Sequence, residues 1–315
     1  MSDARTQEPV TPPGGDGLLR VRLDLAYDGA GFSGWAAQPG RRTVEGELTD
    51  ALARVLRDPA VRLVVAGRTD AGVSARGQVV HLDVDPAAWA ALPGRAVGRP
   101  GAPSPGDALV RRLAGMLPGD VVVRRAGLAP TGFDARFGAL RRRYAYRVVD
   151  DPRAVDPLRR GEVHVVRRAL DVAVMDRAAG ALLGEHDWLP FCRPREGAST
   201  VRTLLRHGWR RDDGGVLVAD VEADAFCHHM VRALVGAALA VGEGRRDEGW
   251  PARVLAAGVR DPAVALAPAR GLVLEEVVYP PAEQLAAQAR RARTFRGPAA
   301  GPGRQGAAGG GRVEA

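Results

Sequence analysis

The chain of 315 residues contains no lysine, no isoleucine and no asparagine, and only two cysteines. The first three absences are what a very GC-rich coding sequence imposes, so arginine stands wherever a basic side chain is used. The formal charge of +8 therefore suggests a polyanionic partner without requiring one, although an arginine that neutralises a phosphate does release counterions. Six arginines against two glutamates lie in 281–315, which puts half of the net charge in that end and leaves the rest moderately basic.

Cys192 and Cys227 lack the C-x-x-C spacing of a structural zinc site or a redox motif, so neither a disulfide nor a metal is expected. The run Cys227-His228-His229 adds no metal site in this reading, because adjacent residues on a helix point in different directions. Long hydrophobic runs are missing too. The longest, 233–241, is too short to cross a bilayer, and no basic-then-apolar leader is visible, so no membrane partner and a cytoplasmic location are expected. No G-x-x-x-x-G-K-[ST] run is present, and the glycines after Ala66 lack dinucleotide-fingerprint spacing. A phosphate seated in that turn would also be repelled by Asp70.

What is present is enough to fold: 46% hydrophobic residues over this length suit one large or two modest domains. Alternation of Val21, Leu23, Leu25 and Tyr27 predicts a half-buried strand over 18–27. Thr43 then caps a helix over 44–56, with acidic residues in its first turn and Leu48, Ala51, Leu52 and Leu56 at helical spacing. Strands follow over 61–66 and 78–84, a Pro/Gly/Ala-rich surface insertion over 86–107, a helix over 108–116 and a strand over 121–126. The second half reads as strand 140–149, helix 172–183, strands 203–211 and 216–222, helices 226–241 and 250–257, and strand 272–279. This order predicts an α+β protein with largely antiparallel sheets in two similar halves, 18–133 and 134–283. Flexible ends are expected over 1–17 and from 284 onward.

Three groups carry candidate chemistry. Asp70 lies in the glycine-bracketed turn Gly67-Arg68-Thr69-Asp70-Ala71-Gly72-Val73 directly after apolar strand residues, where folds tend to place reactive groups, although Asp and Gly also form ordinary turns. On the strand 140–149, Arg142, Tyr144 and Tyr146 share one face, suited either to stacking an unpaired base beside a phosphate or to core packing. His229, Arg232 and Gly236 follow one stripe of the helix 226–241. An Arg among apolar neighbours needs a partner: a structural carboxylate, or Asp70, which contact with Arg68 or Arg232 would keep ionised.

Taken together, five ordered segments resemble the tRNA pseudouridine synthase A family. They are Tyr27-Asp28-Gly29 with Phe32-Ser33-Gly34-Trp35, the Asp70 turn, Phe133-Asp134-Ala135-Arg136-Phe137, Arg142-Arg143-Tyr144-Ala145-Tyr146, and Phe226-Cys227-His228-His229-Met230-Val231-Arg232. The resemblance implies a cofactor-free isomerase that converts uridine to pseudouridine at tRNA positions 38, 39 and 40 in the anticodon arm and works as a homodimer. It implies Asp70 as the catalytic residue, Tyr144 stacking on the target base, and Arg68 and Arg232 as active-site arginines. It further implies two similar ferredoxin-like halves sharing a central, mostly antiparallel sheet with the active cleft between them. The chain departs from the family's usual pattern at Ser74 and Asp134, where His is frequent, and in Leu113-Ala114-Gly115-Met116, where Asn is usual.

Overall fold

A computed structural model describes residues 17–195 and 198–294. The first half runs β1 (Leu19–Tyr27), α1 (Val44–Leu56), β2 (Val64–Val65), β3 (Ser74–Val84), α2 (Pro86–Ala90), α3 (Pro105–Ala114) and β4 (Val121–Leu128). The second runs β5 (Arg141–Val149), β6 (His164–Val165), α4 (Val172–Gly180), β7 (Gly184–Asp187), β8 (Val201–Arg211), β9 (Leu217–Ala223), α5 (Met230–Gly242), α6 (Trp250–Ala257), β10 (Leu272–Val278) and α7 (Leu285–Arg293).

The strands form one sheet in the order β4-β1-β3-β10-β5-β9-β8-β7, with β2 added to β3 and β6 to β5. All pairings are antiparallel except β10 with β3 and β5 with β6. The expected α+β class with a shared, mostly antiparallel sheet is therefore observed. The halves join where β10 lies beside β3, pairing Val273 with Ser74 and Leu274 with Ala75. At the neighbouring irregularity of β10, Glu275 accepts hydrogen bonds from both Arg76 and Arg147 at 2.8 Å, which pins the seam with a largely buried carboxylate between two guanidinium groups.

Local chemistry explains the helices. Thr43 accepts a hydrogen bond from the Gly46 N–H, Glu45 and Glu47 suit the positive end of the helix dipole, and α1 buries Val44, Leu48, Ala51, Leu52 and Leu56. Its end is set by Arg57 in the left-handed conformation. In α5 every residue except Arg232 is buried, which is the pattern of a helix enclosed on all sides. Gly236 lets residues 265–267 lie against it: a Cβ there would sit 1.8 Å from the Ala265 carbonyl oxygen.

Three expectations need correction. The segment 86–107 is not a bare surface insertion: α2 forms there, Trp89 and Leu92 are buried, and α3 begins at Pro105 rather than at 108. The prolines that read as breakers occupy the first helical turn, after Asp85 and Ser104 as side-chain caps, where a missing N–H costs nothing. The chain from 284 is not featureless either, because α7 buries Leu285 and Ala289, four residues apart, and its Arg293 bonds Asp134 at 2.9 Å. Lastly, α5 starts at Met230, because His229 has φ of 70° and interrupts the helix expected from 226. The expectations for 1–16 and for 295–315 fall outside the described residues.

Candidate active site

The Asp70 turn leaves β2 and enters β3, and it is held from several directions. Gln78, fully buried in β3, donates to the Gly67 carbonyl at 2.9 Å and to the Tyr27 hydroxyl at 3.2 Å. The Tyr27 hydroxyl is in turn 2.8 Å from the Thr69 hydroxyl. The loop after β1 braces the other side, with the Trp35 N–H donating to the Thr69 carbonyl at 3.0 Å and the Gly72 N–H to the Phe32 carbonyl at 3.3 Å. Gly34 permits this approach: its φ is 98°, and a Cβ would lie 3.0 Å from the Thr69 carbonyl oxygen. The segment Phe32-Ser33-Gly34-Trp35 is thus the cradle of the Asp70 turn.

Asp70 opens into a cleft of about 710 Å³ between the two halves. Among the described residues its lining includes seven arginines against two carboxylates, Glu45 and Asp70, which favours a polyanion. Arg232, from α5, donates from Nη1 to Asp70 Oδ2 at 3.3 Å and from Nε to the Ala267 carbonyl at 2.8 Å, so its guanidinium is aimed by a backbone group as well as by the carboxylate. The second half also supplies His228 and His229, whose Nε2 atoms lie 3.4 Å from Oδ1 and 3.6 Å from Oδ2 of Asp70. Their rings overlap with centroids 3.8 Å apart. Burial lowers both imidazole pKa values against the opposing pull of Asp70, with their cationic neighbours adding to the depression, so both rings are neutral at neutral pH.

Tyr144 lines the cleft and packs edge-on against Phe226 at 5.2 Å. Burial foremost, then the neighbouring Tyr27 and Asp70, raises its phenol pKa, so the hydroxyl stays protonated. Arg68 also lines the cleft, but its side chain is exposed and has no hydrogen bond or ion pair among the described residues. Of the two arginines considered as partners for Asp70, Arg232 makes the contact.

The face Arg142, Tyr144 and Tyr146 does not act as a unit. Tyr146 is core, its hydroxyl donating to the Pro268 carbonyl at 3.0 Å and lying 3.1 Å from His164 Nδ1. Arg142 is turned inward and gives its hydrogen bonds to the carbonyls of Asp224 (2.6 Å), Ala66 (2.9 Å) and Arg136 (2.6 Å). Ala66 roots the Asp70 turn and Asp224 precedes the Phe226-Cys227-His228-His229 segment, so Arg142 ties together the two backbones that carry the site.

A family model described as tRNA pseudouridine synthase matches residues 178–280. A tRNA pseudouridine synthase A of Frankia casuarinae is 58% identical over 285 residues, covering 90% of this chain and 97% of the relative. That of Streptomyces griseus is 56% identical, covering 89% and 95%, and that of Mycobacterium leprae 46%, covering 90% and 98%. The chain belongs to the tRNA pseudouridine synthase A family. It is a family of isomerases, and the five ordered segments that resembled it all line or brace this cleft.

Two departures from the usual synthase pattern acquire a local explanation. Ser74 accepts from the Gly29 N–H at 3.0 Å and donates to Asp28 at 3.4 Å, which fastens the start of β3 to the loop after β1. Asp134 accepts from the Arg136 and Phe137 N–H groups at 2.9 and 2.8 Å while facing Arg293. The sequence reading missed His228 as a neighbour of Asp70 and placed His229 on a helical stripe. Its reason for setting metal binding aside fails, because neither residue lies within the helix. The available signal was the poor helix-forming run Phe226-Cys227-His228-His229 before a strongly apolar one. The two cysteines also meet: the adjoining Cys227 thiol, foremost, raises the Cys192 pKa.

Proposed function

We propose that this protein isomerises uridine to pseudouridine in tRNA, at positions 38, 39 and 40 of the anticodon arm, with Asp70 as the nucleophile and no cofactor. The carrying observation is the convergence of Asp70, Arg232 and Tyr144 in one arginine-lined cleft, in a chain of this family. The reaction breaks the N1–C1′ bond, turns the uracil while it is held, and joins C5 to C1′, with the C5 hydrogen leaving as a proton and N1 taking one up. It is an internal rearrangement with no net oxidation or transfer to a second molecule, so its balance requires no cofactor.

Asp70 serves either by attacking C1′, or by attacking the ring, or by removing a ribose proton on a glycal route. Each route calls for an ionised carboxylate, and Arg232 supplies the adjoining positive charge. The target nucleotide must leave its stack, and Tyr144 offers an aromatic surface while Arg68 at the exposed side offers a free guanidinium for phosphate. Action as a homodimer in the cytoplasm completes this reading. Among the described residues no helix is long and apolar enough to cross a membrane.

The test is a tRNA transcript tritiated at uracil C5, incubated with the wild type and with Asp70→Asn, which is nearly isosteric but a far poorer nucleophile. Tritium release by the wild type alone is expected, and mapping of the product should place pseudouridine at 38–40. Full activity in Asp70→Asn refutes the role of Asp70. Binding of the tRNA without release by either protein replaces the enzyme by an RNA-binding protein.

A further inference from the structure

We propose that Asp70, His228 and His229 form a binding site for a borderline divalent transition-metal cation, Zn²⁺ foremost, whose occupancy blocks Asp70 and reversibly inhibits the enzyme. The inhibitory half rests on the reading of Asp70 as the catalytic group.

The geometry is that of a partly assembled three-ligand site. One donor atom from each residue lies within 4.8 Å of the other two. The Nε2 atoms of His228 and His229 stand 3.4 and 3.6 Å from opposite oxygens of the carboxylate. Zinc with ligand bonds of about 2.0–2.1 Å in tetrahedral geometry requires its ligand atoms to be about 3.3–3.4 Å apart. With one carboxylate oxygen as the ligand, one of these distances is an edge close to that length, and the remaining edges, all within 4.8 Å, must shorten as the side chains turn onto the ion. The two rings, 3.8 Å apart between centroids and tilted by 40°, present the same nitrogen to one carboxylate. Two imidazoles with one carboxylate suit zinc, cobalt or nickel, and not magnesium, which prefers oxygen ligands and retains its water.

Two features make the site reversible rather than a resident centre. Arg232 Nη1 lies 3.3 Å from Asp70 Oδ2, so a metal ion at the carboxylate has a guanidinium beside it. In addition, His228 Nδ1 is buried with no hydrogen-bond partner among the described residues, so that ring lacks the outer support that strengthens metal-ligating histidines. The metal must compete with Arg232 for the carboxylate that substrate requires.

The test begins without RNA. Chelator-treated full-length protein is titrated with Zn²⁺ in a calorimeter and with Co²⁺ while its visible absorption is followed. One ion per chain is expected in the wild type, with binding weakened at least about tenfold in each of Asp70→Asn, His228→Gln and His229→Gln. Cys227→Ala should bind as the wild type does, which separates this site from a thiolate site beside it. Binding that survives all three ligand substitutions, vanishes in Cys227→Ala or is absent from the wild type overturns the proposal. Tritium release by the wild type should then fall as Zn²⁺ fills the site, recover on chelation and ignore equal Mg²⁺. Release unchanged at full occupancy overturns the inhibitory half. No release without metal counts against the catalytic reading and leaves the binding result standing, so the two failures are distinguishable.

Discussion

Replacing Arg142 with methionine tests whether the backbones carrying the site are held together by one buried guanidinium. The side chain is nearly enclosed, and burial, its largest influence, lowers its pKa against the opposing pull of Tyr279, Tyr144 and Asp224. Its three bonds, to the carbonyls of Ala66, Arg136 and Asp224, run between 2.6 and 2.9 Å. Each hydrogen bond to an ionised group contributes about 1.5–3 kcal/mol, and the three share one donor and are not additive. Methionine restores part of the packing but leaves three carbonyls without their donor, for an expected loss of about 3–5 kcal/mol. With a urea slope of about 3 kcal/mol/M for a chain of this size, the unfolding midpoint should fall by roughly 1–1.7 M. Because Ala66 and Asp224 flank Asp70 and His228 respectively, tritium release per folded molecule should fall as well, under conditions where circular dichroism shows the variant folded. A loss below about 1 kcal/mol with unchanged release would refute the role given to Arg142.

Two further outcomes are expected. Arg68→Gln removes an exposed guanidinium without a protein partner, so its melting temperature should match the wild type while the salt slope of tRNA binding falls by about 0.7–0.9; an unchanged slope removes Arg68 from the RNA contact. His207 is buried with both ring nitrogens unpartnered among the described residues, and burial pushes its pKa down to about 4 against the weaker pull of Asp176. Since the unfolded chain takes up this proton near pH 6.5 and the folded one only near 4, the stabilising difference is complete above 6.5 and is lost as the pH falls toward 4. That loss amounts to about 3 kcal/mol. His207→Leu should flatten this fall in urea titrations, and an identical pH profile would show that His207 protonates freely in the folded protein.

Much of the scaffold was legible along the chain because its signals are local. Alternation in β1, the Thr43 cap with the apolar spacing of α1, and the apolar run of α5 each express a period that no distant contact overrides. The Asp70 turn was visible for the same reason, as glycines and a carboxylate following a buried strand. The errors at α2, α3 and α7 are also local ones, since proline at a first helical turn and a two-residue apolar contact lie below what composition alone distinguishes.

By itself the sequence determined most of the strands and the longer helices, the family segments and the residue at the centre of the site. Only the tertiary structure decided what surrounds that residue. The position of β10 between β3 and β5 joins segments about two hundred residues apart, a pairing that local periodicity does not encode. That seam brings the start of α5 over the Asp70 turn, and the left-handed backbone at His229 turns two successive imidazoles toward one carboxylate. The strand pattern left the face of Arg142 and two tyrosines open to either a ligand or the core, and three converging carbonyls make Arg142 a tie inside the protein. A strand pattern fixes which face a side chain shares, whereas the groups waiting on that face come from elsewhere in the chain and are known only once it has folded.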